Sequence, residues 1–190
     1  MRHSGNRRHL KGRGWASPGR RLLRIWNKMK TTEHSHGFRS HMDLALAEAR
    51  AAAGRGEVPV GAVLVGPSGE VLAVSGNRMR EMSDPTAHAE MSVIRAGAAA
   101  LGSERLTGCD LYVTLEPCPM CAAAISAARI RRLYYGAADP KSGGVAQGPR
   151  VFSHPQCHHV PEVYDGIGEA EAREMLQDFF RERRGSNGDS

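Results

Sequence analysis

Four side chains in two short stretches have the types and spacing for metal-assisted hydrolysis. The first stretch is His88-Ala89-Glu90 and the second is Pro117-Cys118-Pro119-Met120-Cys121. A catalytic zinc takes three protein ligands and keeps its fourth position for water. His88, Cys118 and Cys121 supply three, and Glu90 stands two residues from the histidine, available to move protons. Zinc lowers the pKa of water from about 15.7 towards about 7, which gives a hydroxide nucleophile at neutral pH. A carboxylate bound tightly to the metal could not shuttle protons freely, which favours Glu90 as base rather than ligand. Two thiolates and a neutral imidazole cancel the two charges of zinc, so the site tolerates a negative hydroxide. A bare C-x-x-C is also a redox pair, but that reading leaves His88 and Glu90 without a role.

These residues need elements to position them. Ser83-Asp84-Pro85-Thr86 predicts a helix entry, with Asp84 as cap and Pro85 in the first turn. The helix would carry His88 and Glu90 in its opening turns and run to about Ala100. Leu111 to Leu115 is a buried strand, and Pro117 opens a second helix on which Cys118 and Cys121 project from one side. Two helix N-termini converging on one metal would also favour thiolate. Upstream lie an alanine-rich helix, about Ser40 to Ala53, and a hairpin of Val60 to Val65 with Val71 to Val74. Downstream come a strand from Leu133, a short one near Val160 to Val163, and a last helix from about Glu169. Helix and strand alternate in the middle of the chain, which predicts an α/β fold with helices on both faces of a sheet. There is no internal repeat, and no apolar run approaches the 18 residues that a membrane span needs.

The H-x-E…P-C-x-x-C order is the signature of zinc-dependent nucleobase deaminases. The match extends through Glu57-Val-Pro-Val-Gly-Ala-Val-Leu-Val65, Asn77-Arg78, Asp84-Pro-Thr-Ala-His-Ala-Glu90 and Leu111-Tyr-Val-Thr-Leu-Glu-Pro-Cys118. It continues in Ala138-Asp-Pro-Lys141 and Asp178-Phe-Phe-Arg-Glu-Arg-Arg184. In these residues the chain, from about Phe38 to Arg184, resembles the bacterial tRNA-specific adenosine deaminases of the cytidine deaminase superfamily. The resemblance implies a three-layer α/β/α sandwich with a mixed five-stranded sheet, usually a homodimer with one zinc per subunit. It implies deamination of the wobble adenosine of arginine tRNA to inosine. By position, His88, Cys118 and Cys121 would hold zinc and Glu90 would be the proton shuttle. Asn77 would hydrogen-bond the flipped nucleoside, Asp139 and Lys141 would lie in an RNA-binding loop, and Phe180, Arg183 and Arg184 would meet the anticodon. An asparagine beside Gly76 is also an ordinary turn former. Phe179 and Phe180 are adjacent on a helix and cannot both face inward.

Net charge is a poor guide to RNA binding here. The chain carries +6, but ten of its 26 Lys and Arg residues fall within residues 1–30, which hold no acid. The remaining 160 residues carry 16 basic side chains against 20 acidic ones, so any RNA affinity there must come from local clusters such as Lys141, Arg181, Arg183 and Arg184. Three regions are expected: a basic, disordered extension over 1–37, a deaminase domain over 38–184 and a flexible tail over 185–190. The extension reads as an RNA-holding arm, an organellar transit peptide or a leader that is not normally translated; Met29 and Met42 as internal starts favour the last. With no signal peptide and two cysteines assigned to zinc, the expected compartment is the cytoplasm. Cys109 is expected to be a small core residue. Cys157-His158-His159, near His154, has no partner cluster to complete a second metal site.

The competing function is a zinc deaminase of a free base or nucleoside, such as guanine or cytosine, which would share Glu116-Pro-Cys-Pro-Met-Cys121. Asp178 to Arg184 separates the two readings, since it suits an anticodon and has little use for a free base. A non-catalytic partner subunit would not need Glu90. The loop after Lys141, Ser-Gly-Gly-Val-Ala-Gln-Gly-Pro-Arg150, departs from the Gly-Ala-Ala-Gly expected of relatives.

Overall fold

Alanine spacing sets the first element. In Met42–Gly54 (α1) the buried residues are Met42, Ala45, Leu46, Ala49 and Ala52, the stripe that an amphipathic helix turns to a core. Every residue of Gly61–Val65 (β1) is buried, as in a strand covered on both faces. It pairs antiparallel with Val71–Gly76 (β2) across a turn in which Gly69 adopts φ +86°. The small residues of α1 let it lie almost on the hairpin backbone. A Cβ on Gly61 would stand 2.0 Å from the Ala45 carbonyl oxygen, and one on Gly76 2.6 Å from that of Glu48.

The chain continues through Met79–Met82 (α2), Ala89–Leu101 (α3), Asp110–Leu115 (β3), Pro119–Ala127 (α4) and Arg132–Ala137 (β4). A 3-10 turn at Val151–Ser153 precedes Glu162–Tyr164 (β5) and Glu169–Ser186 (α5). These elements come from a computed structural model that describes residues 40–186. The basic extension over 1–37, with its three readings, lies outside the described residues.

The strands form one mixed sheet in the order β2-β1-β3-β4-β5. β1 is antiparallel to β2 and β3, whereas β3, β4 and β5 run parallel. Alternation along each strand splits the core in two. Ala62, Leu64, Leu111, Val113 and Leu133 pack with Val93, Ile94 and Ile125 from α3 and α4. Val63, Val65, Tyr112 and Tyr134 pack on the opposite face with Met42, Leu46 and Ala172 from α1 and α5. The result is the expected α/β/α sandwich. Paired tyrosines tie down the exposed edge strand: Tyr112, Tyr134 and Tyr164 sit in register and stack with ring centroids 4.4 and 4.8 Å apart. No helix among the described residues is long and apolar enough to cross a membrane.

Three boundaries differ from expectation. The helix expected to open at Asp84 begins at Ala89, because Asp84 closes a local turn instead. Its carboxylate accepts the Thr86 backbone N–H at 2.8 Å and the Thr86 hydroxyl at 2.7 Å, an alternative that Asp offers the backbone outside helices. In α4 the proline in the first turn is Pro119 rather than Pro117. The last helix runs to Ser186, into the segment expected to be a flexible tail.

The close approach of α1 yields a test. Overpacking costs about 1–3 kcal/mol, and at Gly61 the obstacle is backbone, which cannot rotate aside. Gly61→Ala should therefore lose about 3 kcal/mol, lowering the melting temperature by about 6–12 °C. Thermal denaturation of wild type and variant side by side measures this directly.

Candidate active site

His88 and Cys118 share an unusual backbone placement: each is the N-cap of a helix. His88 precedes α3 with ψ 154° and Cys118 precedes α4 with ψ 169°, and neither side chain caps its own helix. Extended N-cap backbone leaves both side chains free to turn away from the helix axis and towards each other. Cys121, one turn into α4, completes the group. The His88 Nδ1 lies 3.7 Å from the Cys118 Sγ and 3.5 Å from the Cys121 Sγ. With Zn–S near 2.3 Å and Zn–N near 2.0–2.1 Å, a tetrahedral edge between sulfur and nitrogen is about 3.6 Å. The three donors therefore fit zinc. Among the described residues they form the one cluster with metal-ligand geometry.

The charge balance of the donors agrees. Hydrogen bonding from Cys121 and from His88 drives the Cys118 thiol down to about 4. The same contact with Cys118, together with burial, pushes the Cys121 thiol up, and the bond to Cys118 raises His88. Two sulfurs this close hold one negative charge between them readily and a second only beside a cation. The N-termini of α3 and α4 add partial positive charge at the same point.

Glu90 is 3% exposed and stands outside the ligand group. Burial pushes its carboxyl above the usual carboxylate range. A group that takes and returns a proton near neutral pH needs such a shift. Asn77 is 5% exposed, and its Oδ1 accepts the backbone N–H of Ala89 at 2.9 Å. That bond satisfies the first free N–H of α3 and fixes His88 and Glu90 on either side of it. With the oxygen engaged, the Asn77 amide has its N–H groups left to offer a ligand.

Two further buried acids, Glu57 and Glu116, hold backbone near the site. Glu57, 2% exposed, accepts the Arg80 and Glu81 N–H groups at 2.8 and 3.0 Å and so caps α2. Glu116, also 2% exposed, accepts backbone N–H groups from Asp139, Val145, Ala146 and Gln147 at 2.8–3.1 Å. Both stand in apolar sequence beside or one residue from a proline, Glu57-Val58-Pro59 and Leu115-Glu116-Pro117, a pattern that hints at burial but names no partner.

A groove of about 1010 Å³ opens beside Leu115, where β3 leads into the zinc-ligand turn. It gathers Asp139, Lys141, Phe180, Arg181 and Arg184, bringing one expected RNA-binding loop against the last helix. The Asp139 carboxylate accepts the N–H groups of Lys141 and Ser142 and so shapes the loop. Phe180 is 45% exposed and Phe179 only 8%. Arg183 stands apart from its neighbours: its guanidinium donates to the Gly56 carbonyl and lies 4.4 Å over the Phe179 ring. It is built into the packing of α5 rather than the groove. Cys157, His158 and His159 also serve structure. The Ser126 hydroxyl donates to the His159 carbonyl at 2.7 Å, and Arg129 donates to that of His158 at 2.6 Å, fastening this segment to α4.

A family model for the cytidine and deoxycytidylate deaminase zinc-binding region matches residues 37–137, and the chain belongs to that family. It is a zinc-binding hydrolase that cleaves a C–N bond to release ammonia. Within the family, it is 65% identical over 147 residues to the tRNA-specific adenosine deaminase of Agrobacterium fabrum, covering 77% of this chain and 96% of that one. A solved structure from studies of A-to-I editing by tRNA:A34 deaminases at the wobble position of transfer RNA is also 65% identical. It aligns with a TM-score of 0.71 over 73% of this chain and 100% of the other. Guanine deaminase from Bacillus subtilis aligns with 29% identity and a TM-score of 0.52, over 77% and 95% of the two chains.

The separation of Glu90 from the ligands has a clear consequence. Glu90→Ala should keep one zinc per chain by metal analysis while losing activity by several orders of magnitude. Cys118→Ala or Cys121→Ala should lower zinc content and melting temperature together, because metal binding and folding are linked. Loss of zinc from Glu90→Ala would make Glu90 a ligand.

Proposed function

We propose that the protein converts the wobble adenosine of an arginine tRNA to inosine, with Glu90 as the proton shuttle. The observation that carries this is the groove of Lys141, Arg181, Arg184 and half-exposed Phe180, which reaches Leu115 at the end of the strand that leads to Cys118. A free base needs no such surface, whereas an anticodon loop brings phosphates for the cations and an unstacked base for the ring. The 65% identity to the tRNA-specific deaminase of Agrobacterium fabrum supports the same choice. Four cysteines without a disulfide suit a reducing cytoplasm, and the homodimer that the resemblance implies is part of the same proposal.

Reaching the adenine requires its extrusion from the loop, so the flanking nucleotides must be gripped while the base enters the site. Bound zinc supplies the Lewis acidity that makes water acidic enough to attack near neutral pH. Glu90 accepts one proton of the attacking water and passes it to the ring nitrogen, then takes the second from the hydroxyl now bonded to the carbon and gives it to the departing amino group. Water and adenosine thereby become inosine and ammonia. The Asn77 amide, held by Ala89, donates to the nucleoside. Lys141 and Arg184 meet phosphates, and Phe180 stacks on a flanking base.

The test is incubation with arginine tRNA bearing an ACG anticodon, scoring inosine at the wobble base, with free adenosine, cytosine and guanine in parallel. Turnover of guanine without tRNA editing would favour the free-base reading that the guanine deaminase likeness raises. Lys141→Ala with Arg184→Ala should weaken tRNA binding and flatten the slope of log K against log salt by about 1.4. Zinc content and melting temperature should stay unchanged. Phe180→Ala should cost about 1–3 kcal/mol of binding if the ring stacks on a base.

A further inference from the structure

The loop after Lys141, whose Ser142-Gly143-Gly144 run departs from the expected pattern, is fastened to the zinc-ligand turn at three points. First, the Glu116 carboxylate lies beneath it. One oxygen accepts the N–H groups of Val145, Ala146 and Gln147 at 3.1, 2.8 and 2.9 Å, and the other accepts that of Asp139 at 3.0 Å. Second, the Gly144 N–H donates to the Pro117 carbonyl at 2.9 Å. Third, the two glycines bring loop and turn into direct contact. A Cβ on Gly143 would lie 2.6 Å from the Glu116 carboxyl carbon, and one on Gly144 would lie 2.6 Å from Pro119 N and 2.8 Å from the Cys118 carbonyl carbon. Only glycines permit this approach.

We infer that Glu116 is a positioning residue for the substrate: it holds the loop bearing Asp139 and Lys141 in fixed register with the zinc ligand Cys118, two residues away. This rests on the tRNA reading above. A loop that grips nucleotides flanking an extruded base is useful only if its distance from the reacting atom is constant. A single buried carboxylate that receives four loop N–H groups and is joined directly to the Pro117-Cys118 turn supplies that constancy. The residue touches neither base nor metal. Its effect passes through Lys141, so it belongs to binding rather than to chemistry.

The experiment compares Glu116→Gln with wild type on arginine tRNA. The amide retains one acceptor oxygen and turns an N–H group towards another donor, so part of the loop is released while size is kept. KM should rise about tenfold or more, as misplacement of a gripping group predicts, with kcat within about twofold and zinc at one per chain. In the double variant with Lys141→Ala, KM should exceed that of Lys141→Ala alone by no more than about twofold, because the two changes act through one contact. Additive effects, a fall in kcat with KM unchanged, or unaltered kinetics would overturn the proposal. Should Glu116→Gln fail to fold, hydrogen exchange of the wild-type protein decides. The amides of Asp139, Val145, Ala146 and Gln147 should be protected like those of β3, and exchange at rates of an open loop would refute the clamp. If the wild-type protein leaves tRNA unedited, the functional reading fails, and the exchange measurement still answers for the clamp.

Discussion

Two ligands at helix N-caps are the constraint on which the rest of this molecule depends. A metal site from three side chains requires backbone points that stay put while the donors remain unneutralised by other contacts. An N-cap meets both needs. Its backbone is extended, and the first helical bonds already hold its carbonyl: Ser92 N–H reaches His88 O at 3.0 Å and Ala122 N–H reaches Cys118 O at 2.9 Å. The side chain is then free to face outward. The cost is that the amides at the start of each helix need partners, and Asn77 supplies one from the end of the β1–β2 hairpin. Sheet, hairpin and both helices are therefore coupled to the metal through a handful of main-chain bonds, and the tight seating of α1 on Gly61 and Gly76 holds the hairpin that carries Asn77.

Much of this was legible in residue types and spacing. The zinc ligands, the hairpin, the amphipathic α1 and the split between Phe179 and Phe180 rest on local patterns that tertiary context left intact. The start of α3 was not legible. Asp84 followed by Pro85 carries the chemistry of a helix cap, but Asp also closes short turns, and which outcome prevails depends on Asn77 arriving from elsewhere to take the Ala89 N–H. Arg183 illustrates the same limit from the other side. Its neighbours in sequence are groove residues, yet its guanidinium finds the Gly56 carbonyl, 127 residues away. Glu116 and Glu57 were hidden because a lone acid in a sequence defaults to the surface, and their partners are backbone groups that leave no trace in residue identity.

The distribution of charge bears on selectivity. Excluding residues 1–30, acids outnumber bases by 20 to 16, so the net charge of residues 31–190 gives no general attraction for polyanions. On the proposed reading, nucleic acid gains its affinity where Lys141, Arg181 and Arg184 line one groove. Sequence-independent binding scales with the number of phosphates neutralised, and a few convergent cations hold little nonspecific RNA. What they favour is a strand folded so that several phosphates meet them at once while one base leaves the stack. An anticodon loop has that shape, whereas a duplex has its bases stacked and its phosphates spread along a rod.

Rigidity is the remaining requirement, and it explains why glycine and buried acid occur together in the loop from Asp139 to Gln147. A mobile loop would grip an RNA at the entropic cost of ordering itself, about 1–2 kcal/mol per residue for the backbone alone. Over a segment this long that cost would consume the gain from a few phosphate contacts. Fastening the loop before the substrate arrives transfers the cost to folding, where the buried Glu116 and the close packing of Gly143 and Gly144 offset it. The Gly144 N–H donates to the Pro117 carbonyl, next to the ligand Cys118, so the loop proposed to grip RNA and the zinc-ligand turn share one short stretch of backbone. The ligand turn is held by the sheet and by α4, so it stays in place as the fixed reference from which the loop is set.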